Sequence, residues 1–171
     1  MPAAPRRTDI VATRWGTRFL GRRFPSTIGR SGTTRHKREG DGATPVGSHR
    51  IVAIHFRPDR VAAHRLPRRA IPIGPGDLWS DDPRDTNYNQ PVRAPHRFGH
   101  EHLRRADPIH DLVLVTNWNR PDAIPGNGSA IFIHQWRRPH APTAGCLALR
   151  RKDLRWIVAH LSRQTRLIVK P

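Results

Sequence analysis

Apolar residues along this chain fall in short bursts separated by glycine, proline and charged positions, the punctuation of strands and turns rather than of long helices. In "DIVATRWGTRFLGRRF" (9–24), Ile10 and Val11 are matched by Phe19 and Leu20 across Trp15-Gly16, where glycine supplies a positive φ, so the segment predicts a hairpin. "TTRHKREGDGATPVG" (33–47) is a polar, glycine-studded loop. In "SHRIVAIHF" (48–56), Ile51, Ala53 and His55 alternate with Val52, Ile54 and Phe56. Both faces are apolar, which places this strand inside a sheet or barrel. "DLVLVTNWN" (111–119) and "SAIFIHQW" (129–136) read as buried strands, the second led by the turn "IPGNG". "GCLAL" (145–149) and the terminal "TRLIVKP" read as shorter ones. Only Leu154, Ile157, Val158 and Leu161 recur at helical spacing, as one apolar stripe.

Between Arg57 and Asp107 no periodicity is sustained, and a segment that long in a compact domain is a functional loop or lid, or disordered. Trp79, Tyr88 and Phe98 within it favour an ordered cover. The expected fold is therefore mainly β, a compact barrel-like or sandwich domain with one main helix near the C-terminus and a long loop or lid in the middle. Residues 1–8 are expected to form a flexible tail and residues 9–171 a single domain; no repeat or second boundary is visible.

Composition changes this picture little. The 17 prolines and 13 glycines agree with many turns. The formal charge of +18, from 31 basic against 13 acidic side chains, suits polyanions such as nucleic acid, anionic lipid headgroups or acidic envelope polymers. The arginines are spread over the whole chain, however, and no helix-turn-helix, aromatic ribonucleoprotein motif or zinc-finger spacing accompanies them. A non-enzymatic basic module that binds anionic polymer stays as the rival from another class. No stretch has the length of a membrane-spanning helix, and "MPAAPRRTDIVATRWG" lacks the apolar run of a secretory signal.

Candidate chemistry centres on Cys146, the only cysteine, which cannot form an internal disulfide. On the strand "SAIFIHQW", Ala130, Phe132 and His134 share one face. The loop "RRPHAPTA" then returns the chain to Cys146, twelve positions after His134, so the two strand ends can meet. A free thiol is mostly protonated at neutral pH, and a neighbouring imidazole makes it a nucleophile by taking the proton. Gly145 lets the backbone turn without a Cβ and exposes amides beside the sulfur, among them those of Ala144 and Cys146, as candidate oxyanion donors. A buried structural cysteine next to an incidental histidine fits the spacing equally well. Among the rest, His96, His100 and His102 in "HRFGHEHL" carry no accompanying metal motif and read as a solvated loop. Asn119 is a substrate-binding or loop-orienting candidate, and Trp136, Arg137 and Arg138 flank the proposed site. "GDGATPVG" lacks the Gly-Lys-Ser/Thr ending of a phosphate loop.

"FIHQWRRPHAPTAGCLAL" resembles the active-site signature of the L,D-transpeptidase (YkuD-like) catalytic domain: a strand-borne His, a loop, then Ser/Thr-His-Gly-Cys and an apolar residue. "KREGDGATPVGSHRI" (37–51) is similar to the Thr-Pro-x-Gly segment upstream in that family, and the likeness runs from about Asp9 to the C-terminus. The resemblance implies Cys146 as acylated nucleophile, His134 as general base, amides around Gly145 and Cys146 as oxyanion hole, and Thr143 shaping the turn. It implies no metal and no cofactor. It further implies ping-pong acyl transfer from the third residue of a donor peptidoglycan stem to an acceptor amine. That amine is the side-chain amine of another stem's third residue (a 3-3 link) or a stem N-terminus; water instead would make an L,D-carboxypeptidase. Peptidoglycan stem peptides are the implied partners, carbapenem-type β-lactams the implied inhibitors, and cell-wall biogenesis, cell shape and the bacterial periplasm the implied setting. Ala144 stands where the family has a second histidine, the interval from His134 to Cys146 is shorter than usual, and Ala148 stands where many members have arginine.

Overall fold

The computed structural model describes residues 4–171; the first three residues of the expected tail lie outside them. Strands β1 (Ile10–Thr13) and β2 (Gly16–Phe19) form the hairpin predicted around Trp15-Gly16, with Gly16 at φ +130. A second tight turn leads to β3 (Arg22–Phe24), and Leu20 belongs to it rather than to the strand. Leu20 and Gly21 both have positive φ, 48° and 79°, the mirror-image turn that matches strand twist. The "L" of "FLGRR" hid it, because leucine seldom adopts that conformation.

Three two-residue strands follow, β4 (Ser26–Thr27), β5 (Thr33–Thr34) and β6 (Thr44–Pro45), the last two paired in parallel and closing the base of the glycine-rich loop. The long strand β7 (Gly47–Phe56) is central, as its two apolar faces require. Its alternation is interrupted: the partner register skips Val52, so Ile51 and Ile54 both enter the core and Val52 is left exposed. That is the effect of a bulge, which shifts the following side chains to the other face.

The segment without periodicity is built, not disordered. After β8 (Ile71–Pro72), strands β9 (Asp77–Ser80), β10 (Pro91–Arg93) and β11 (His100–His102) make a separate antiparallel sheet in the order β10-β9-β11. Trp79 and Tyr88 are buried as the aromatics of an ordered cover should be, while Phe98 is only half-buried. The short strands were illegible because each has at most four residues, too few for a period to show.

Strands β12 (Leu112–Thr116), β13 (Phe132–Gln135) and β14 (Leu147–Leu149) are buried throughout. Helix α1 (Arg151–Ala159) follows, its stripe Leu154, Ile157 and Val158 buried, with Leu161 beyond its end, and β15 (Arg166–Val169) closes the chain. The main sheet runs β3-β2-β1-β15-β7-β12-β13-β14-β4, with β8 added beside β7. Its two edges, β3 and β4, are separated in sequence only by Pro25, and a Thr17–Ser26 hydroxyl contact of 2.8 Å ties β4 back to β2, the strand next to β3. The sheet therefore nearly closes on itself as a barrel.

Two apolar clusters form on opposite faces of the strands that carry the signature. Leu112, Leu114, Ile133, Leu147 and Leu149 pack with the helix, while Val113, Val115 and Phe132 pack with Trp79 and Leu103 from the small sheet. Period-two alternation sends each strand's residues to these two cores in turn.

The first and last strands lie side by side in parallel, β1 on β15. The buried Asp9 carboxylate accepts two bonds from the Arg166 guanidinium, at 2.7 and 3.1 Å, and a third from the Arg6 amide at 2.8 Å. Arg6, within the expected tail, is thus bonded to the domain. The Arg166 hydrogen bonds hold the Asp9 pKa below its ordinary value despite burial, so the charged form is favoured in the fold and contributes stability above about pH 4, lost as pH falls through the folded value. Asp9→Ala is expected to cost about 2–4 kcal/mol at pH 7 by chemical denaturation, and the difference from wild type should shrink as the pH is taken well below 4.

Candidate active site

Strands β13 and β14 pair in parallel, with Ile133 opposite Leu147 and His134 opposite Ala148. Continuing that register by one residue sets Phe132 beside Cys146, and the Phe132 amide reaches the sulfur at 3.4 Å. Phe132 and His134 lie on one face of β13 and Cys146 and Ala148 on one face of the adjoining chain, so the imidazole and the thiol open into the same cleft. The return loop thus brings into one cleft the two residues that the sequence paired.

The thiol donates to the Ala130 carbonyl at 3.1 Å. Ala130 itself has φ 49°, a conformation unusual for a residue with a side chain. Asn89 holds it there: its Oδ1 accepts from the Ala130 amide and from Trp79 Nε1, both at 3.0 Å, while its Nδ2 donates to the carbonyls of Trp118 and Asn119. His134 Nδ1 lies 2.8 Å from the Gln135 carbonyl. A carbonyl can only accept, so Nδ1 carries the proton and Nε2 keeps its lone pair.

The electrostatic balance at rest is neutral on both sides. Burial, and secondarily the Glu101 charge, push the Cys146 thiol up to about 12, against smaller opposing effects of the Phe132 amide and Lys37. Burial also depresses His134 to about 4, with the Gln135 carbonyl opposing. The pair is thus thiol and imidazole, not thiolate and imidazolium, until something enters the cleft that favours the proton's transfer.

Gly145 explains why the turn before Cys146 needs glycine. Its φ is +146°, and a Cβ there would stand 3.0 Å from the Ala43 carbonyl oxygen. Ala43 belongs to the upstream "GATPVG" segment, so the two motifs are in backbone contact. The same segment passes close to Gly29, where a Cβ would lie 2.2 Å from the Gly42 carbonyl oxygen, and the Thr44 hydroxyl accepts the Gly29 amide at 2.8 Å. Thr143 shapes the turn directly: its hydroxyl donates to the Cys146 carbonyl at 2.7 Å and accepts the Gly145 amide at 3.1 Å. The Gly145 amide is therefore already bonded, leaving those of Ala144 and Cys146 as the better placed of the three expected oxyanion donors.

The cleft encloses about 900 Å³. Thr143, Trp136, Arg137 and Arg138 line it, as the sequence suggested. Asn119 does not: its side chain is spent on the Ile124 amide and the carbonyls of Ile124 and Gly128, all within its own loop, so it orients that loop and is withdrawn as a substrate contact. The reading of "HRFGHEHL" as a solvated loop is also corrected. His100, Glu101 and His102 form strand β11 and line the cleft, whereas His96 pairs with Asp85 at 2.8 Å. Arg30, Arg105 and His110 complete the polar lining and were missed, since single charges on turns carry no pattern. His110, directly before "DLVLVT", was the nearest to legible. Among the described residues no cluster of three or more His, Cys, Asp or Glu suits a metal ion, and no helix is long and apolar enough to cross a membrane.

A thiol and an imidazole thus open into one cleft, beside a Gly-Cys turn braced by the segment that carries Thr-Pro-x-Gly. The chain belongs to the YkuD family, described as the L,D-transpeptidase catalytic domain, whose profile matches residues 10–169. Comparisons with curated proteins and with solved structures gave no significant match.

Two outcomes follow from the neutral pair. Iodoacetamide should modify Cys146 slowly at pH 7 relative to a free thiol, with the rate still climbing beyond pH 9; a plateau below pH 8 would contradict the buried, neutral thiol. Separately, folded pKa values of about 4 for His134 and about 3 for His110 lie below the unfolded value near 6.5. The unfolded chain takes up protons first as pH falls, so stability declines from about pH 6.5 downward. His134→Gln should flatten that decline in pH-dependent denaturation.

Proposed function

We propose that this chain is a peptidoglycan L,D-transpeptidase that forms cross-links by cysteine acyl transfer. Membership of the family supports the reaction class. The observation that carries the assignment of roles is the shared cleft of Cys146 and His134, with the imidazole pinned through Nδ1 to the Gln135 carbonyl and its Nε2 unbonded.

In this reading the donor stem enters with its third-residue carbonyl over the sulfur. The Sγ proton passes to His134 Nε2 as the sulfur attacks the carbonyl carbon, and the oxyanion is received by the amides of Ala144 and Cys146. His134 then gives that proton to the departing terminal D-amino acid, and a thioester remains on Cys146. An acceptor amine attacks the thioester, and the sulfur leaves as a thiol after regaining a proton through His134. A resting pair that is neutral suits this sequence, since proton transfer and attack are coupled and no free thiolate is exposed to solvent beforehand.

Ala148 supplies no charge where many relatives have arginine, but Arg30, Arg105, Arg137 and Arg138 ring the same cleft. They are the candidates for holding stem carboxylates, by bidentate pairing where geometry allows. The substrate would place the protein at work in the bacterial envelope. Water as acceptor would give an L,D-carboxypeptidase from the same thioester.

The test uses purified muropeptides and intact-protein mass spectrometry. Wild type should release the terminal D-amino acid, yield dimers and gain the mass of a carbapenem on a single residue, while Cys146→Ala should show none of these. Dimer formation that survived Cys146→Ala would end the assignment. Salt-dependent binding of anionic polymer with no acylation would favour the non-enzymatic reading instead.

A further inference from the structure

Glu101 is the only carboxylate lining the cleft among the described residues, against four arginines and four histidines. It sits at the middle of β11, on the small sheet that covers the cleft, and its side chain is 40% exposed. Across from it stands His110, almost wholly buried, with its Nε2 3.9 Å from Glu101 Oε2. The other ring nitrogen of His110, Nδ1, lies 3.2 Å from the His102 carbonyl. That carbonyl can only accept, so Nδ1 holds the proton and Nε2 presents a lone pair.

When Glu101 is ionised, two acceptors therefore face one another, a carboxylate oxygen and an imidazole lone pair, at 3.9 Å, too long for a hydrogen bond. Among the described residues Nε2 has no hydrogen-bond partner at all. His110 lines the cleft, so this free nitrogen is open to a donor on an incoming group. The group that satisfies both acceptors at once is one with several protons and a positive charge, a primary ammonium. The His110 ring stands 5.8 Å from that of His134, and the Glu101 charge is close enough to raise the Cys146 thiol. A group held there shares the cleft with the Cys146 sulfur.

Resting on the transpeptidase reading, we propose that Glu101 and His110 form the acceptor subsite, which binds the ammonium of the incoming amine and removes its first proton. The surroundings suit that task. Crowding in the cleft, followed by the like charge of Asp81, raises the Glu101 pKa to about 7, with Arg105 opposing and Glu39 adding to the rise. Burial, together with repulsion from His134, keeps His110 neutral. A carboxylate with such a proton affinity is a far better acceptor for an ammonium proton than an ordinary one.

The protons balance as follows. The bound ammonium gives one proton to Glu101, and the freed nitrogen lone pair attacks the thioester carbonyl. The nitrogen loses a second proton to His134 Nε2 as the tetrahedral intermediate forms. The carbon–sulfur bond then breaks, His134 returns that proton to Sγ, and the third stays on the new amide. Glu101 releases its proton to solvent.

The experiment separates this step from acylation. Wild type, Glu101→Gln and Glu101→Asp are loaded with a disaccharide-tetrapeptide donor, and the decay of the acyl-enzyme is followed by mass spectrometry with the tetrapeptide stem itself as acceptor. The readout is the ratio of aminolysis to hydrolysis, which a merely structural change would not shift. E101Q should lower that ratio at least tenfold, and E101D should recover part of it. Hydroxylamine, uncharged at neutral pH, should attack all three acyl-enzymes with similar ratios. An unchanged ratio in E101Q with the stem acceptor overturns the proposal alone. So does a variant that accumulates acyl-enzyme only at higher donor concentration with the same partition, since that places the donor's ammonium at Glu101. A wild-type protein that forms no acyl-enzyme overturns the transpeptidase reading, and this subsite with it.

Discussion

The arrangement of this protein depends on a parallel pairing made across an unusually short connection. Strands β13 and β14 run side by side with only the segment from Trp136 to Cys146 between them. A parallel pair needs a crossover, commonly a dozen or more residues with a helix of its own. Here the crossover has no regular element, and a neighbouring stretch holds it instead. Arg30 donates to the Thr143 carbonyl at 2.9 Å, the Thr143 amide donates to the Ile28 carbonyl at 3.1 Å, and the Thr27 hydroxyl donates to the Ala141 carbonyl at 2.8 Å. The return loop is thus stitched to residues 27–30 along its length, and β4 extends the stitching onto β14. Without that support the loop would pay its ordering entropy alone, and the faces bearing Cys146 and His134 would have no fixed register.

Residues 27–30 are themselves held by the Thr-Pro-x-Gly segment, because Gly29 and Gly145 approach the backbone of Gly42 and Ala43 too closely for any side chain. The two motifs that stand a hundred residues apart in sequence are consequently two layers of one support. The upstream motif is not part of the cleft lining; it lies against the backbone behind the cysteine. Close backbone contact also excludes water behind the thiol, which is part of why burial dominates its proton affinity.

The legible and illegible parts of the sequence divide by physical cause. Strands of four or more residues buried on both faces, such as "DLVLVT" and "FIHQ", and the helix stripe of Leu154, Ile157 and Val158 announce themselves because packing imposes a period on them. Cys146 and His134 were legible because rare residue types stood at the ends of such strands. The small covering sheet was not, since its strands are three or four residues long in a proline-rich run, and their order β10-β9-β11 is set by tertiary pairing alone. Glu101 stands within a histidine cluster and is illegible for the same reason: nothing in "HRFGHEHL" says that the strand would be laid over a cleft lined by residues 134–148. Asn119 misled in the opposite way. An asparagine after a buried strand is a frequent site residue, yet here its φ of 48° marks it as the organiser of its own loop.

The distribution of charge in the cleft bears on why Ala148 can replace an arginine. Ala148 is fully buried on the floor, two positions after the cysteine, where a guanidinium would have to be desolvated next to a neutral thiol and a neutral imidazole. A charge there would depress the thiol's proton affinity and disfavour protonation of the imidazole. Moving the cationic function outward, to Arg137 and Arg138 on the return loop and Arg105 beneath the covering sheet, leaves the floor apolar and keeps the arginines hydrated. Arg105 is further paired with Asp107 through both oxygens, at 2.9 and 2.7 Å, so its charge is partly balanced within the protein. What remains is a cleft with arginines around its rim and, among the described residues, one carboxylate, Glu101, on the cover. A zwitterionic peptide, with carboxylates and an amine on the same molecule, can align with such a field in only a few ways. Register can then be set by the ends of the cleft rather than by a contact beside the sulfur.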